Sequence, residues 1–152
     1  MYYAGLRASE VLTLTWINIK NRHMRIIGKG NKERIVPICD ELQLVLDEWY
    51  DRQMGFLGEK PDLVVSNEDG SAVSGSFFRR MVKNVLMSCG CPYELAHPHA
   101  LRHSFATRMA SMGLSLLSLQ KILGHSSLNT TQVYVNLADS FASSEFFNLT
   151  SI

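Results

Sequence analysis

The run Trp16-Ile17-Asn18-Ile19-Lys20-Asn21-Arg22-His23-Met24-Arg25-Ile26-Ile27-Gly28-Lys29-Gly30-Asn31-Lys32-Glu33-Arg34-Ile35-Val36-Pro37-Ile38 decides between an all-helical chain and a mixed one. Apolar and polar side chains alternate over residues 16–19 and again over 23–27. Period two marks a half-buried strand, because successive side chains leave opposite faces. Lys20-Asn21-Arg22 reads as a tight turn, and Gly28-Lys29-Gly30-Asn31-Lys32-Glu33 as a Gly/Asn turn leading into Arg34-Ile35-Val36-Pro37-Ile38. The expectation is a three-stranded antiparallel meander with a basic hairpin tip, Pro37 lying at a strand end or an edge.

Outside the meander the periodicity is helical. Ser9 precedes a short helix through Leu14, and Asp40 caps one reaching about Arg52 with Leu42, Val45, Leu46 and Trp49 on one face. A loop rich in Gly, Pro and Asp follows, interrupted by Leu63-Val64-Val65-Ser66. Ser74 or Ser76 starts a helix with Phe77, Phe78, Met81, Val82, Val85 and Leu86 inward. Further helices run from about His99 to Met112, from Ser115 to Leu123, and from Ser126 through Tyr134, with an amphipathic tail from Asp139 to Phe147. Leu101, Phe105, Ala106, Met109, Leu116, Leu119, Ile122 and Leu123 are spaced as core. The fold class is α+β, mainly α-helical with a small three-stranded sheet, in one domain over residues 1–152.

With 152 residues, 46% hydrophobic and 19% charged, the chain has the composition of a globular domain and excludes a disordered, collagen-like or coiled-coil protein. No apolar run approaches the ~18 residues of a membrane span. Cys39, Cys89 and Cys91, an odd number, read as reduced thiols of a cytoplasmic protein. The net charge of +1 gives no hint of a polyanionic partner, but it is unevenly spread: +5 over residues 1–38, −7 over 39–70 and +3 over 71–152. The helix from Asp40 and its loop are therefore expected to lie away from Arg7 and Arg102.

Taken singly, the chemically capable residues are ambiguous. His99 and Arg102 are neighbours at i and i+3, which also describes a helix-start His beside a surface Arg. His125 after a helix end can serve terminal carbonyls, and Tyr134 can be a half-buried core residue. Cys89, Cys91, His97 and His99 offer soft ligands, but C-x-C and H-x-H are poor matches to zinc-finger spacing. As a set, Arg7, Lys29, His99, Arg102, His125 and Tyr134 hold donors for a phosphate and one nucleophile. No carboxylate cluster of the kind that holds Mg²⁺ accompanies them, so the positive charge must come from side chains.

Four blocks stand in order. They are Gly5-Leu6-Arg7-Ala8-Ser9-Glu10; Gly28-Lys29-Gly30-Asn31-Lys32-Glu33-Arg34-Ile35-Val36-Pro37; His99-Ala100-Leu101-Arg102-His103-Ser104-Phe105-Ala106-Thr107; and Leu123-Gly124-His125-Ser126-Ser127 leading to Thr130-Thr131-Gln132-Val133-Tyr134. Over about residues 3–138 the sequence resembles the catalytic domain of the tyrosine recombinases, the phage-integrase and Xer-like family.

The resemblance implies a site-specific DNA recombinase or integrase of a bacterial or mobile-element system. It would break and rejoin strands through a 3′-phosphotyrosyl intermediate, with no metal, ATP or other cofactor. Tyr134 would be the nucleophile. Arg7 and Arg102 would clamp the phosphate, Lys29 would protonate the leaving 5′-oxygen, His99 would act as general base, and His125 would position a phosphate oxygen. Lys32 and Arg34 would contact the DNA backbone. The implied partners are double-stranded DNA at a specific site and further protomers, a tetramer on two sites in the intact protein. The resemblance also implies that the N-terminal DNA-clamping domain usual in the family is absent from this chain. Two alternatives are a DNA-binding accessory protein without activity and a type IB topoisomerase-like enzyme that relaxes supercoils.

Overall fold

The structure is a computed structural model and describes residues 1–125; of Lys29 it describes the backbone. The expected helix over 126–134, Tyr134 and the amphipathic tail lie outside the described residues. The elements are α1 (Ala8–Leu12), β1 (Ile19–Lys20), β2 (His23–Ile27), β3 (Glu33–Pro37), α2 (Asp40–Leu57), α3 (Gly75–Ser88), α4 (Pro98–Ser111) and α5 (Leu116–Leu123).

The three strands form an antiparallel sheet in the order β1-β2-β3, with Ile19 opposite Met24 and a β2–β3 register running from His23–Pro37 to Ile27–Glu33. Asn21 and Arg22, both at positive φ, make the two-residue turn between β1 and β2. That backbone twist suits a tight hairpin. The first strand is shorter than its alternation suggested. Trp16–Asn18 form a 3-10 turn, because the Trp16 N–H bonds the Asp62 carbonyl (2.9 Å) and the Trp16 indole N–H bonds Gln53 Oε1 (2.8 Å). These long-range bonds hold Trp16 off the sheet and override its local preference.

The helix boundaries differ from expectation in instructive ways. α1 begins at Ala8 with Arg7 as its N-cap, and α2 begins after Cys39 and ends at Leu57, where Gly58 takes a left-handed conformation. α4 starts at Pro98, and the His97 ring Nδ1 accepts the Ala100 N–H at 3.1 Å. On α3, Phe78 and Val82 are buried and Leu86 packs beside them, whereas Phe77, Met81 and Val85 are exposed. One ridge of the helix meets α1; the other, turned by about 100° per residue, faces out. Val45 of α2 is likewise exposed, while Leu46 is buried and Leu42 and Trp49 pack against the core.

The main core lies under the sheet, built from Leu6, Leu14, Met24, Ile26, Val36, Ile38, Leu46 and Val64. A second cluster joins α4 to α5 through Phe105, Ala106, Leu119 and Leu123. Gly5 sits where this cluster meets the N-terminal segment. Its φ is +62°, and a Cβ there would lie 2.5 Å from Phe105 Cδ1 and 2.8 Å from Leu123 Cδ2. Among the described residues no helix is long and apolar enough to cross a membrane.

Gly5→Ala should therefore destabilise the chain by about 3 kcal/mol, from left-handed strain plus overpacking. Urea denaturation measures it; a loss below about 1 kcal/mol would show that the Phe105 and Leu123 contacts relax freely.

Candidate functional site

The site grows from one carboxylate. Glu10, the third residue of α1, is 5% exposed. Its Oε2 accepts the Arg7 backbone N–H at 2.7 Å, a helix-start bond that fixes the side chain inward. Oε1 accepts from Arg7 Nη1 (2.8 Å) and Arg34 Nη1 (2.8 Å), while Oε2 also accepts from Arg34 Nη2 (2.8 Å). Arg102 Nη1 approaches Oε2 at 3.9 Å. Burial opposes ionisation of Glu10, but the Arg34 and Arg7 hydrogen bonds and the Arg34 charge outweigh it, and its pKa falls to about 2.

The same arginines reach the C-terminus of α5. A helix end leaves carbonyls without intrahelical partners and carries partial negative charge, which cations satisfy. Arg34 Nε donates to the Ile122 carbonyl (2.7 Å), Arg102 Nη2 to that of Leu123 (2.8 Å) and Arg7 Nη2 to that of Gly124 (3.2 Å). Gln120 Nε2 completes the row at the His125 carbonyl (3.1 Å). Arg102 Nη1 also donates to the Gly5 carbonyl at 2.7 Å. Four successive carbonyls are thus held by four side chains, from the N-cap of α1 and from β3, α4 and α5.

His125 ends this row. Its Nε2 lies 2.9 Å from Arg102 Nη2, and because a guanidinium only donates, Nε2 accepts and the ring proton resides on Nδ1. Burial first, then the charges of Arg102, Arg7 and Arg34, push the His125 pKa down to about 4, so the ring is neutral at pH 7. A cleft of about 840 Å³ opens beside it, lined by Arg7, Lys32, Arg34, Lys121 and His125, with Glu33 as its acidic member. Arg7, with 35% of its side chain exposed, presents charge to this cleft, and Lys32 is exposed at its rim.

The structure therefore brings Arg7, Arg102, His125 and Arg34 together. His99 lies exposed in the first turn of α4, one turn before Arg102. The Lys29 backbone sits at the hairpin tip beside Gly30 (φ +74°), and Tyr134 lies outside the described residues. Arg34 turns inward: only 10% of its side chain is exposed, and Nε, Nη1 and Nη2 all serve intrachain partners. Cys89, Cys91, His97 and His99 do not assemble; among the described residues no group of three or more His, Cys, Asp or Glu is placed to hold a metal ion. Asp47 and Asp51 border a different cleft with Trp16, Lys20 and Tyr50, while the carboxylate meeting Arg7 and Arg102 is Glu10.

Sequence reasoning missed Glu10 and Gln120. The signal for Glu10 was a glutamate at the third position of a helix, the place from which a carboxylate reaches back to the cap. Gln120 carried no local signal.

The sequence matches the profile of the phage integrase family over residues 1–140. The chain belongs to the phage integrase family. Among its curated relatives is the tyrosine recombinase XerD of Proteus mirabilis, 37% identical over 142 residues. That match covers 91% of this chain and 45% of the relative, so this integrase-family chain spans about half the length of such proteins. Among solved structures, the XerA recombinase superposes with a TM-score of 0.82 at 28% identity, covering 99% of this chain and 56% of that one. The XerH site-specific recombinase bound to its difH substrate, in a pre-cleavage complex, gives 0.74 at 31% identity, covering 88% and 40%. These neighbours make the α+β arrangement that of a tyrosine recombinase catalytic domain.

The low pKa of Glu10 has a consequence for acid stability in this integrase-family domain. A carboxylate held at about 2 rather than 4.5 contributes stability above pH 4.5 that is lost as pH falls through 2. The expected loss is about 3 kcal/mol, read by chemical denaturation across that interval. Glu10→Gln should be less stable at pH 7 and lack this component; an unchanged acid limb would remove Glu10 from its central place.

Proposed function

We propose that this chain is the catalytic domain of a site-specific DNA recombinase that cuts and rejoins strands through Tyr134. The observation that carries the reading is a basic cleft lined by Arg7 and the neutral His125, with the buried Arg102 donating to His125 Nε2 behind it. Family membership and the likeness to a recombinase captured on its DNA substrate support it.

In this reading the scissile phosphate enters the cleft beside Arg7 and His125, with Arg102 behind the His125 ring. Arg7 donates to a non-bridging oxygen, and Arg102, whose Nη1 and Nη2 serve the Gly5 and Leu123 carbonyls, redirects part of that bonding to the phosphate as charge grows in the transition state. The phosphate adds negative charge beside His125, which raises its proton affinity and lets the ring donate to a phosphate oxygen. The Tyr134 hydroxyl gives its proton to His99 and its oxygen attacks phosphorus. As the O–P bond to Tyr134 forms, the bond to the 5′-oxygen breaks, and Lys29 supplies that oxygen's proton. The phosphotyrosine retains the bond energy, so a 5′-hydroxyl of another strand can reverse the step without ATP or metal. Lys32, exposed at the cleft rim, contacts the DNA backbone. Recombination proper engages further protomers on two DNA sites.

A duplex nicked beside the cleavage site traps the intermediate, because the short 5′-hydroxyl fragment diffuses away. Incubated with this duplex, the full chain should form a covalent protein–DNA adduct. Tyr134→Phe should abolish it, and Arg102→Ala should lower its rate at least about 100-fold. An adduct that survives in Tyr134→Phe would overturn Tyr134 as the nucleophile, and none with the wild type despite binding would leave a binding protein without this chemistry. Relaxation of supercoils with no recombinant product would favour the topoisomerase-like outcome.

A further inference from the structure

We propose that Arg34 is a positioning residue for this reaction and not a DNA contact; the inference rests on the strand-cutting reading of the Arg7–Arg102–His125 cleft. Three observations converge on it. The guanidinium forks onto both oxygens of Glu10 at 2.8 Å each, and its Nε holds the Ile122 carbonyl at 2.7 Å. One side chain thereby ties β3 to α1 and to the end of α5, across 24 and 88 residues of sequence. The turn that presents His125 rests against the stem of the same side chain. Gly124 has φ +66°, and a Cβ there would lie 3.0 Å from Arg34 Cδ and 3.1 Å from its Nε and Nη1. Finally, Arg34 pairs with Ile26 across the sheet, while Gly28 N–H bonds the Lys32 carbonyl at 2.8 Å. Arg34 therefore stands at the root of the hairpin whose tip carries Lys29.

The groups it connects are those the reaction needs in register. Glu10, fixed by Arg34, fixes Arg7 through Oε1. The Ile122 bond and the Gly124 contact set the height of His125 above the cleft. The strand root sets where the Lys29 hairpin departs. A lysine at position 34 would keep the charge but present one nitrogen in place of a planar fork with three bonding positions. It could neutralise Glu10 without seating the α5 turn.

The test compares wild-type, Arg34→Lys and Arg34→Gln full chains on the nicked duplex, measuring single-turnover adduct formation and, separately, DNA affinity against salt. Arg34→Lys should form adduct about 100-fold more slowly, the size expected when reacting groups shift by about 1 Å. Its DNA affinity should stay within about threefold, with an unchanged salt slope. A role in folding alone would lower the melting temperature and leave the rate of the folded enzyme unchanged, which would overturn the proposal. So would a weaker affinity with the salt slope reduced by about one, the signature of a lost phosphate contact. Should neither variant fold, the wild-type protein decides. The through-hydrogen-bond NMR coupling between Arg34 Nε and the Ile122 carbonyl carbon should persist when duplex DNA is added, and its disappearance on binding would overturn the inference. Absence of any wild-type adduct would mark failure of the strand-cutting reading instead, and the coupling experiment would still report where Arg34 is spent.

Discussion

A carboxylate shut away from water stays ionised only where donors replace its hydration, and Glu10 is the group on which the site depends. It lies in a short helix, yet it meets the arginine at that helix's cap and a second arginine 24 residues further on, and a third approaches. Arginines so close together repel one another in isolation. The buried negative charge of Glu10 and the negative end of α5 make their proximity tolerable. Removing the carboxylate would leave cations crowded in a half-buried pocket, so the whole cluster stands or falls as a unit.

On the proposed strand-cutting reading, that arrangement also keeps the cationic side chains ready for a phosphate. Long arginine side chains lose rotamer freedom when they grip a ligand. Here Arg7 and Arg102 are already held by backbone carbonyls of Gly5, Leu123 and Gly124. Much of the ordering is complete in the folded chain, and this is the physical content of preorganisation. His125 is held in the same way: burial and neighbouring charge keep it neutral, so its ring accepts from Arg102.

The sheet and the helical segments of the described chain were legible because they depend on periodicity, and periodicity is local. Alternation over residues 23–27 and 34–38 produced β2 and β3, and the spacing of Phe105, Ala106, Leu119 and Leu123 gave the α4–α5 cluster. The errors came where a distant partner overruled a local preference. Trp16 alternates with its neighbours as a strand residue would, but its bonds to Asp62 and Gln53 turn it into a 3-10 segment. Phe77, Met81 and Val85 have core composition, yet α1 meets only the adjacent ridge of α3. Recombinase motifs drew attention to Arg7, Arg102 and His125, which the structure gathers; Tyr134 lies outside the described residues. The partners of Arg34 were not legible, because a charged residue in a basic hairpin block looks like a surface residue. Its inward course depends on a carboxylate in another element.

The row of carbonyls from Ile122 to His125 is recognised entirely through the main chain. None of the side chains at 122, 123 or 124 takes part in those bonds, so the hydrogen-bonding of the arginines imposes no identity on them. Ile122 and Leu123 are constrained by the volume of the apolar cluster beneath, and Gly124 by the stem of Arg34. Sequence drift at this turn is therefore filtered by space and not by chemistry: aliphatic exchange at 122 and 123 can proceed while the cationic groups above hold their places.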